Sequence, residues 1–325
     1  MSHFVVYLVA DSPESVEELL APFNENLECS PWRDMLPTEP REHSFTTWAL
    51  SNGLKDDVNL TWGSVIDFIN QGHVKECGKN FPENGETCED CGEQAILLND
   101  EGKPYQVVNY NPEGHWDWWV IGGRWAGLLP LNEKGKASKE PIRAWHTDTF
   151  VDTPANAEGL CDGAPLKLLD IKGRRVSFIK EAQKRWKVWQ EAVLGLPTPR
   201  PFREFYALSE RDRVNYPTQG ARYEYDHQPA LVKARALGLA TGMFGDIVED
   251  FDMTEEDYLL CAEVNAFSGY AFVTHEGDWL APGEISMLTF ESSTTQSRAA
   301  YSRRVKEYFD SLSEDMWLIA VDCHA

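Results

Sequence analysis

Two apolar runs bracket this sequence and constrain its fold more than any other feature. One is Phe4-Val5-Val6-Tyr7-Leu8-Val9-Ala10 and the other is Trp317-Leu318-Ile319-Ala320-Val321. Short continuous runs of this kind, bounded by turn residues, are the pattern of buried strands. After the first run, Ser12 can cap a helix with Pro13 at its first position and Glu14 in its first turn. Val16, Leu19 and Leu20 then fall on one helical face. Before the second run, Tyr301, Val305, Tyr308, Phe309 and Leu312 recur at helical spacing. A strand–helix opening and a helix–strand finish predict an α+β fold. The expected sheet is ferredoxin-like or related, with both terminal strands paired and helices on one face. Antiparallel pairing of those strands would put His3 beside Asp322, Cys323 and His324. These residues hold the pieces of a nucleophile–base pair or of a second metal site.

The strongest chemical signal lies between the two ends. His73-x3-Cys77 precedes Cys88-Glu89-Asp90-Cys91-Gly92. A CxxC turn followed by glycine points two thiolates at one ion, and a second pair at x3 spacing completes a tetrahedron. The predicted site is a structural zinc held by His73, Cys77, Cys88 and Cys91, with Cys29 or another side chain as the alternative to His73. Four ligands leave no open position for catalysis. The chain has seven cysteines, an odd number, and no basic stretch before its first apolar run. Both facts point away from export and a disulfide framework, toward a cytoplasmic protein with metal-bound and buried thiols. No apolar run approaches a membrane span.

A second unusual segment follows, Asn109-Tyr110-Asn111-Pro112-Glu113-Gly114-His115-Trp116-Asp117-Trp118-Trp119-Val120-Ile121-Gly122-Gly123-Arg124-Trp125. Trp116, Trp118 and Trp119 offer rigid faces for a planar ligand or a cation. Arg124 can pair with a carboxylate or phosphate, or internally with Asp117. The glycines permit positive φ and close backbone approach. The competing reading is a tryptophan plug in the core with an Asp117–Arg124 ion pair. The ending Gly-Lys-Ser/Thr of a phosphate loop is missing.

This central motif resembles the hallmark of a family of uncharacterised proteins from tailed bacteriophages and prophages. The resemblance extends to Met1-Ser2-His3-Phe4, to Ala21-Pro22-Phe23-Asn24-Glu25-Asn26, to Gly277-Asp278-Trp279 and to the ending Asp322-Cys323-His324. It covers the two ends and the centre. The cysteine-rich insertion and the Pro/Arg-rich residues 197–225 depart from it. The resemblance implies a phage accessory gene product, acting in the host cytoplasm, and implies no activity.

Charge narrows the partners. The chain carries 30 basic and 53 acidic residues, a net charge of −23. Such a surface disfavours direct binding to nucleic acid. Asp246, Glu249, Asp250 and Asp252 lack calcium-loop spacing, and Thr254 reads as the N-cap of an acidic first turn. Residues 174–187 read as the solvated basic face of a long helix, 132–139 as an exposed loop and 197–225 as irregular. The predicted organisation has a core part at 1–170, with the zinc insertion at 71–95 and the aromatic segment at 109–129. A mainly helical insertion at 171–262 and a strand-helix-strand at 263–325 follow.

Three functions are compatible with these features. A phage accessory binding module would use Trp116, Trp118, Trp119 and Arg124 to hold a host protein or a small planar ligand. An enzyme on nucleotides or similar small molecules would use His3, Asp117, Arg124, Cys323 and His324, all lining one pocket. An acidic mimic of nucleic acid would array carboxylates on one face.

Overall fold

A computed structural model of the chain describes residues 3–55, 60–82, 85, 87–142, 159–239, 246–283 and 294–325. Its strands are β1 (His3–Ala10), β2 (Trp32–Met35), β3 (Leu97–Leu98), β4 (Pro104–Val108), β5 (Trp118–Ile121), β6 (Leu129–Pro130), β7 (Leu160–Cys161), β8 (Gly163–Pro165), β9 (Ala271–Val273), β10 (Trp279–Leu280) and β11 (Trp317–His324). Its helices are α1 (Val16–Leu20), α2 (Ser44–Ser51), α3 (Trp62–Cys77), α4 (Glu133–Ala137), α5 (Ile171–Val193), α6 (Phe202–Arg211), α7 (Thr218–Asp226), α8 (Pro229–Ala236), α9 (Ile247–Asp250), α10 (Glu255–Asn265) and α11 (Thr295–Asp310). The fold is α+β, and it forms two compact units. One joins Met1–Pro22 to His115–Ala325, and the other is Phe23–Gly114.

The first unit is built on a sheet in the order β10-β9-β1-β11-β5, with β8 also paired to β11. The two apolar runs become its central neighbours. β1 and β11 pair antiparallel along their whole length, from His3 opposite His324 to Ala10 opposite Trp317. β9 runs parallel to β1, so the sheet is mixed, where the expected ferredoxin-like sheet would be all antiparallel. Alternate side chains leave a strand on opposite faces. Tyr7, Val9, Leu318 and Ala320 share a core with Val305 and Phe309 of α11 and Val264 of α10. On the other face, Val6, Leu8, Ile319 and Val321 are fully buried as well. Burial of each such aliphatic side chain contributes about 1.5–3 kcal/mol, which makes this pairing the stable centre of the unit.

The helical part of the same unit has its own core. Trp189 of α5, Phe205 of α6, Tyr225 of α7, Leu231 of α8 and Phe251 pack together. Residues 197–225, expected to be irregular, are largely helical. Pro201 and Pro217 each stand at the N-cap of a helix, so proline starts these helices instead of breaking them. The arginines serve the packing too: Arg200 lies over Phe205 and Arg222 over Phe202. The expected loop at 132–139 holds α4, capped by the Asn132 side chain on Gly135 N–H.

The second unit pairs β2, β4 and β3 and packs Trp62 and Val65 of α3 against Ile96. Thr61 and Ser64 form a reciprocal capping box at the start of α3. Gly78, with φ +80°, ends it in the left-handed conformation. The segment expected to carry the metal, residues 71–95, lies inside this unit. No helix among the described residues is long and apolar enough to cross a membrane.

Candidate metal centre and a histidine row

Helix α3 runs on to Cys77, and its last turns build half of the metal centre. An x3 spacing inside a helix puts His73 and Cys77 one turn apart on the same face. The other half is a tight turn. Cys88 N–H donates to Glu93 O at 2.7 Å and Gly92 N–H to Cys88 O at 2.8 Å, while Gly92 takes φ +75°. The ligand atoms of His73, Cys77, Cys88 and Cys91 all lie within 4.8 Å of one another, an arrangement that could hold a metal ion. Cys77 Sγ is 3.8 Å from Cys88 Sγ, and His73 Nε2 is 3.2 Å from Cys91 Sγ. The His73 ring is buried and stacks on Phe81 with centroids 3.7 Å apart. Cys29 lies outside this group, with its thiol on Leu27 O. His73 is therefore the fourth member.

The thiols differ in acidity. The backbone N–H groups of Asp90 and Cys91 hold the Cys88 thiol down to about 6, because they favour the thiolate. Desolvation, and then hydrogen bonds with Cys88 and Cys91, push Cys77 up to about 11. Turn geometry thus prepares one thiolate before any ion arrives.

A second cluster forms at one end of the main sheet. His3, His324 and Trp118 are register partners across β1, β11 and β5, so they form a row on one face. His3 Nδ1 is 3.0 Å from Asp322 Oδ1, and His324 Nδ1 is 2.6 Å from Asp117 Oδ1. A carboxylate only accepts, so each Nδ1 donates its proton to its aspartate. The two imidazole centroids are 4.9 Å apart, and the Trp118 ring is 6.2 Å from His3. Asp322 is buried, both imidazoles are partly open, and Trp118 is 48% exposed.

The Gly122-Gly123-Arg124 turn holds this cluster from behind. Arg124 N–H donates to Asp322 Oδ2 at 2.9 Å. Gly122 and Gly123 have φ of +76° and +54°, and a Cβ on either would collide with a buried carboxylate, Asp162 or Asp322 respectively. Asp162 also accepts from Gly127 N–H at 2.6 Å. Both glycines are thus required by close approach as well as by φ. These backbone N–H donors satisfy the buried carboxylates and fix their orientation, and Asp322 in turn fixes His3.

The sequence-predicted residues separate accordingly. His3, Asp117 and His324 come together as expected, and Arg124 joins them through its backbone. Cys323 does not. It leaves β11 on the opposite face from His324, is fully buried, and desolvation pushes its thiol far up, which makes it a packing residue. Trp116 is also a core residue, not a ligand surface. It is buried, and its indole N–H donates to Leu20 O at 3.1 Å. Trp119 is partly buried opposite Cys323. His115 stacks on Trp279, centroids 4.5 Å apart, away from the row. Asp117, an alternative partner of Arg124 in the sequence reading, is held by His324. The acidic cluster is engaged internally: Asp246 caps α9, Asp250 meets Arg298 and Asp257 meets Arg303.

Sequence reasoning missed Asp162, whose neighbours Cys161 and Gly163 gave no signal; only the glycine pair pointed to something close to the backbone. No protein-family model, curated protein or solved structure matches the chain.

Proposed function

We propose that this chain is a zinc-stapled binding module whose ligand surface is the row of Trp118, His324 and His3. The carrying observation is Trp118, half exposed on a rigid strand beside imidazoles that aspartates hold in place. A large aromatic face next to oriented polar groups suits a small planar ligand or an aromatic loop of a host protein. The motif resemblance supports a phage or prophage accessory protein. No disulfide forms among the described residues, which suits a reducing cytoplasm.

The metal is zinc on this reading. A tetrahedral zinc with Zn–S bonds of about 2.3 Å has sulfur–sulfur edges of about 3.8 Å, and Cys77 and Cys88 already stand 3.8 Å apart. Three thiolates and one imidazole would fill the coordination sphere and staple α3 to the Cys88–Cys91 turn. Its role there is structural.

A second reading, an enzyme on small molecules, is favoured by the two imidazole–carboxylate pairs, each an oriented acid–base group. It proceeds without Cys323.

Native mass spectrometry of the chain purified from a bacterial host tests the binding reading. The expected result is a retained molecule or stoichiometric partner that disappears in Trp118→Ala. Identical spectra for wild type and variant would remove the reading. Loss of one zinc per chain in Cys91→Ser tests the staple.

A further inference from the structure

We infer that His3 and His324 form a second, open site for a divalent first-row transition-metal ion, separate from the cysteine cluster. This builds on the placement of the working surface at this end of the sheet.

Proton bookkeeping is the first argument. A neutral imidazole carries one N–H. In both rings that proton is directed from Nδ1 to a carboxylate, which leaves Nε2 with its lone pair. Among the described residues neither Nε2 has a hydrogen-bond partner. Imidazoles that ligate metals are held in this manner, with the second nitrogen donating to a carboxylate that fixes the tautomer and raises basicity. Here two such units occur side by side.

Spacing is the second. An imidazole bound through Nε2 at about 2.0–2.1 Å keeps its ring centre about 3.2 Å from the ion, so two rings at a tetrahedral angle have centres about 5.2 Å apart. At a right angle the separation is about 4.5 Å by the same geometry. The observed centroid separation of 4.9 Å lies between these limits.

Charge is the third. The imidazoles contact Asp117 and Asp322, one of them buried, within a chain of net charge −23. This environment favours a cation and opposes a phosphate. Imidazole ligands select zinc, nickel or copper over magnesium and calcium. Two protein ligands leave positions for water or for a donor atom of a molecule stacked on Trp118, so this site is open where the cysteine site is closed.

Zinc stoichiometry by native mass spectrometry tests the inference on the full chain. At saturating zinc the wild type should carry two ions. His3→Gln and His324→Gln should each carry one. Asp117→Asn keeps both imidazoles but should bind the second ion about 10–100-fold more weakly. His227→Gln, on the surface of the helical part, should be unchanged. The inference is overturned if the wild type stops at one ion, or if the second ion survives in both histidine variants. Zinc is added without other ligand, so the two readings fail separately. A second ion lost in His324→Gln, with no Trp118-dependent ligand, removes the binding surface and leaves the metal site standing.

Discussion

Replacing Gly123 by alanine should damage the main sheet far more than an ordinary glycine substitution. Two costs add. An L-residue in the left-handed region costs about 1–2 kcal/mol, and Gly123 has φ +54°. The new Cβ would also displace the Asp322 carboxylate, which accepts from Arg124 N–H at 2.9 Å and from His3 at 3.0 Å. Losing one hydrogen bond to a charged group costs about 1.5–3 kcal/mol. The sum is about 2.5–5 kcal/mol, equivalent to roughly 70-fold to several-thousand-fold faster exchange of amides that open with the unit. Gly277→Ala is the control. Its φ is +89° but nothing lies within 4 Å of an added Cβ, so it pays the backbone cost alone. Native-state hydrogen exchange of the β11 amides measures both. If the two alanines accelerate exchange equally, the carboxylate contact contributes nothing and the account of the glycine pair fails.

Other perturbations have equally definite outcomes. Chelation of the metal should abolish exchange protection from α3 through β3, since the buried cluster there is little more than Trp62, Val65 and Ile96; β1 and β11 should stay protected. In metal-free protein one thiolate should appear near pH 6 by ultraviolet absorbance and vanish in Cys88→Ser. Because the Cys88 thiol is held below its ordinary value of 9.0, its contribution to stability grows from about pH 6 to 9 and is lost as pH falls through about 6. Cys77, raised to about 11, opposes this above pH 9, so urea stability of metal-free protein should peak near pH 9. Tyr225→Phe removes a 2.6 Å bond to Asp246, the carboxylate that caps α9. It should cost about 1.5–3 kcal/mol, read as faster amide exchange in α7 and α8.

Local chemistry was legible in the sequence where it is encoded in contiguous residues. The apolar runs at 4–10 and 317–321 declared β1 and β11, and their pairing follows from the order of elements. The CxxC turn needs only its own backbone. Gln71, Gly72 and Lys75 interrupt the apolar pattern of α3, although its last turns are what align His73 with Cys77. The prolines at 201 and 217 looked like breakers because proline is compatible with both a loop and a helix start. Side-chain direction was the least legible property. Asp322 and Cys323 are adjacent in sequence, yet strand alternation sends one to the site and the other to the core. Trp116 and Trp118 also divide, for a different reason: Trp116 precedes β5 and enters the core, while Trp118 stands exposed on the strand.

The pairing of β1 with β11 also sets a timetable for synthesis. His3 and Asp322 are 319 positions apart, so the row is incomplete until almost the entire chain has been translated. At about 5–20 residues per second, β1 waits roughly 16–64 s for its partner. During that interval an apolar β-prone segment lies uncovered on the nascent chain, a natural client for a ribosome-associated chaperone. A product truncated by premature termination before β11 lacks His324 and Asp322. The complete row of Trp118, His324 and His3 would thus be restricted to chains translated through β11.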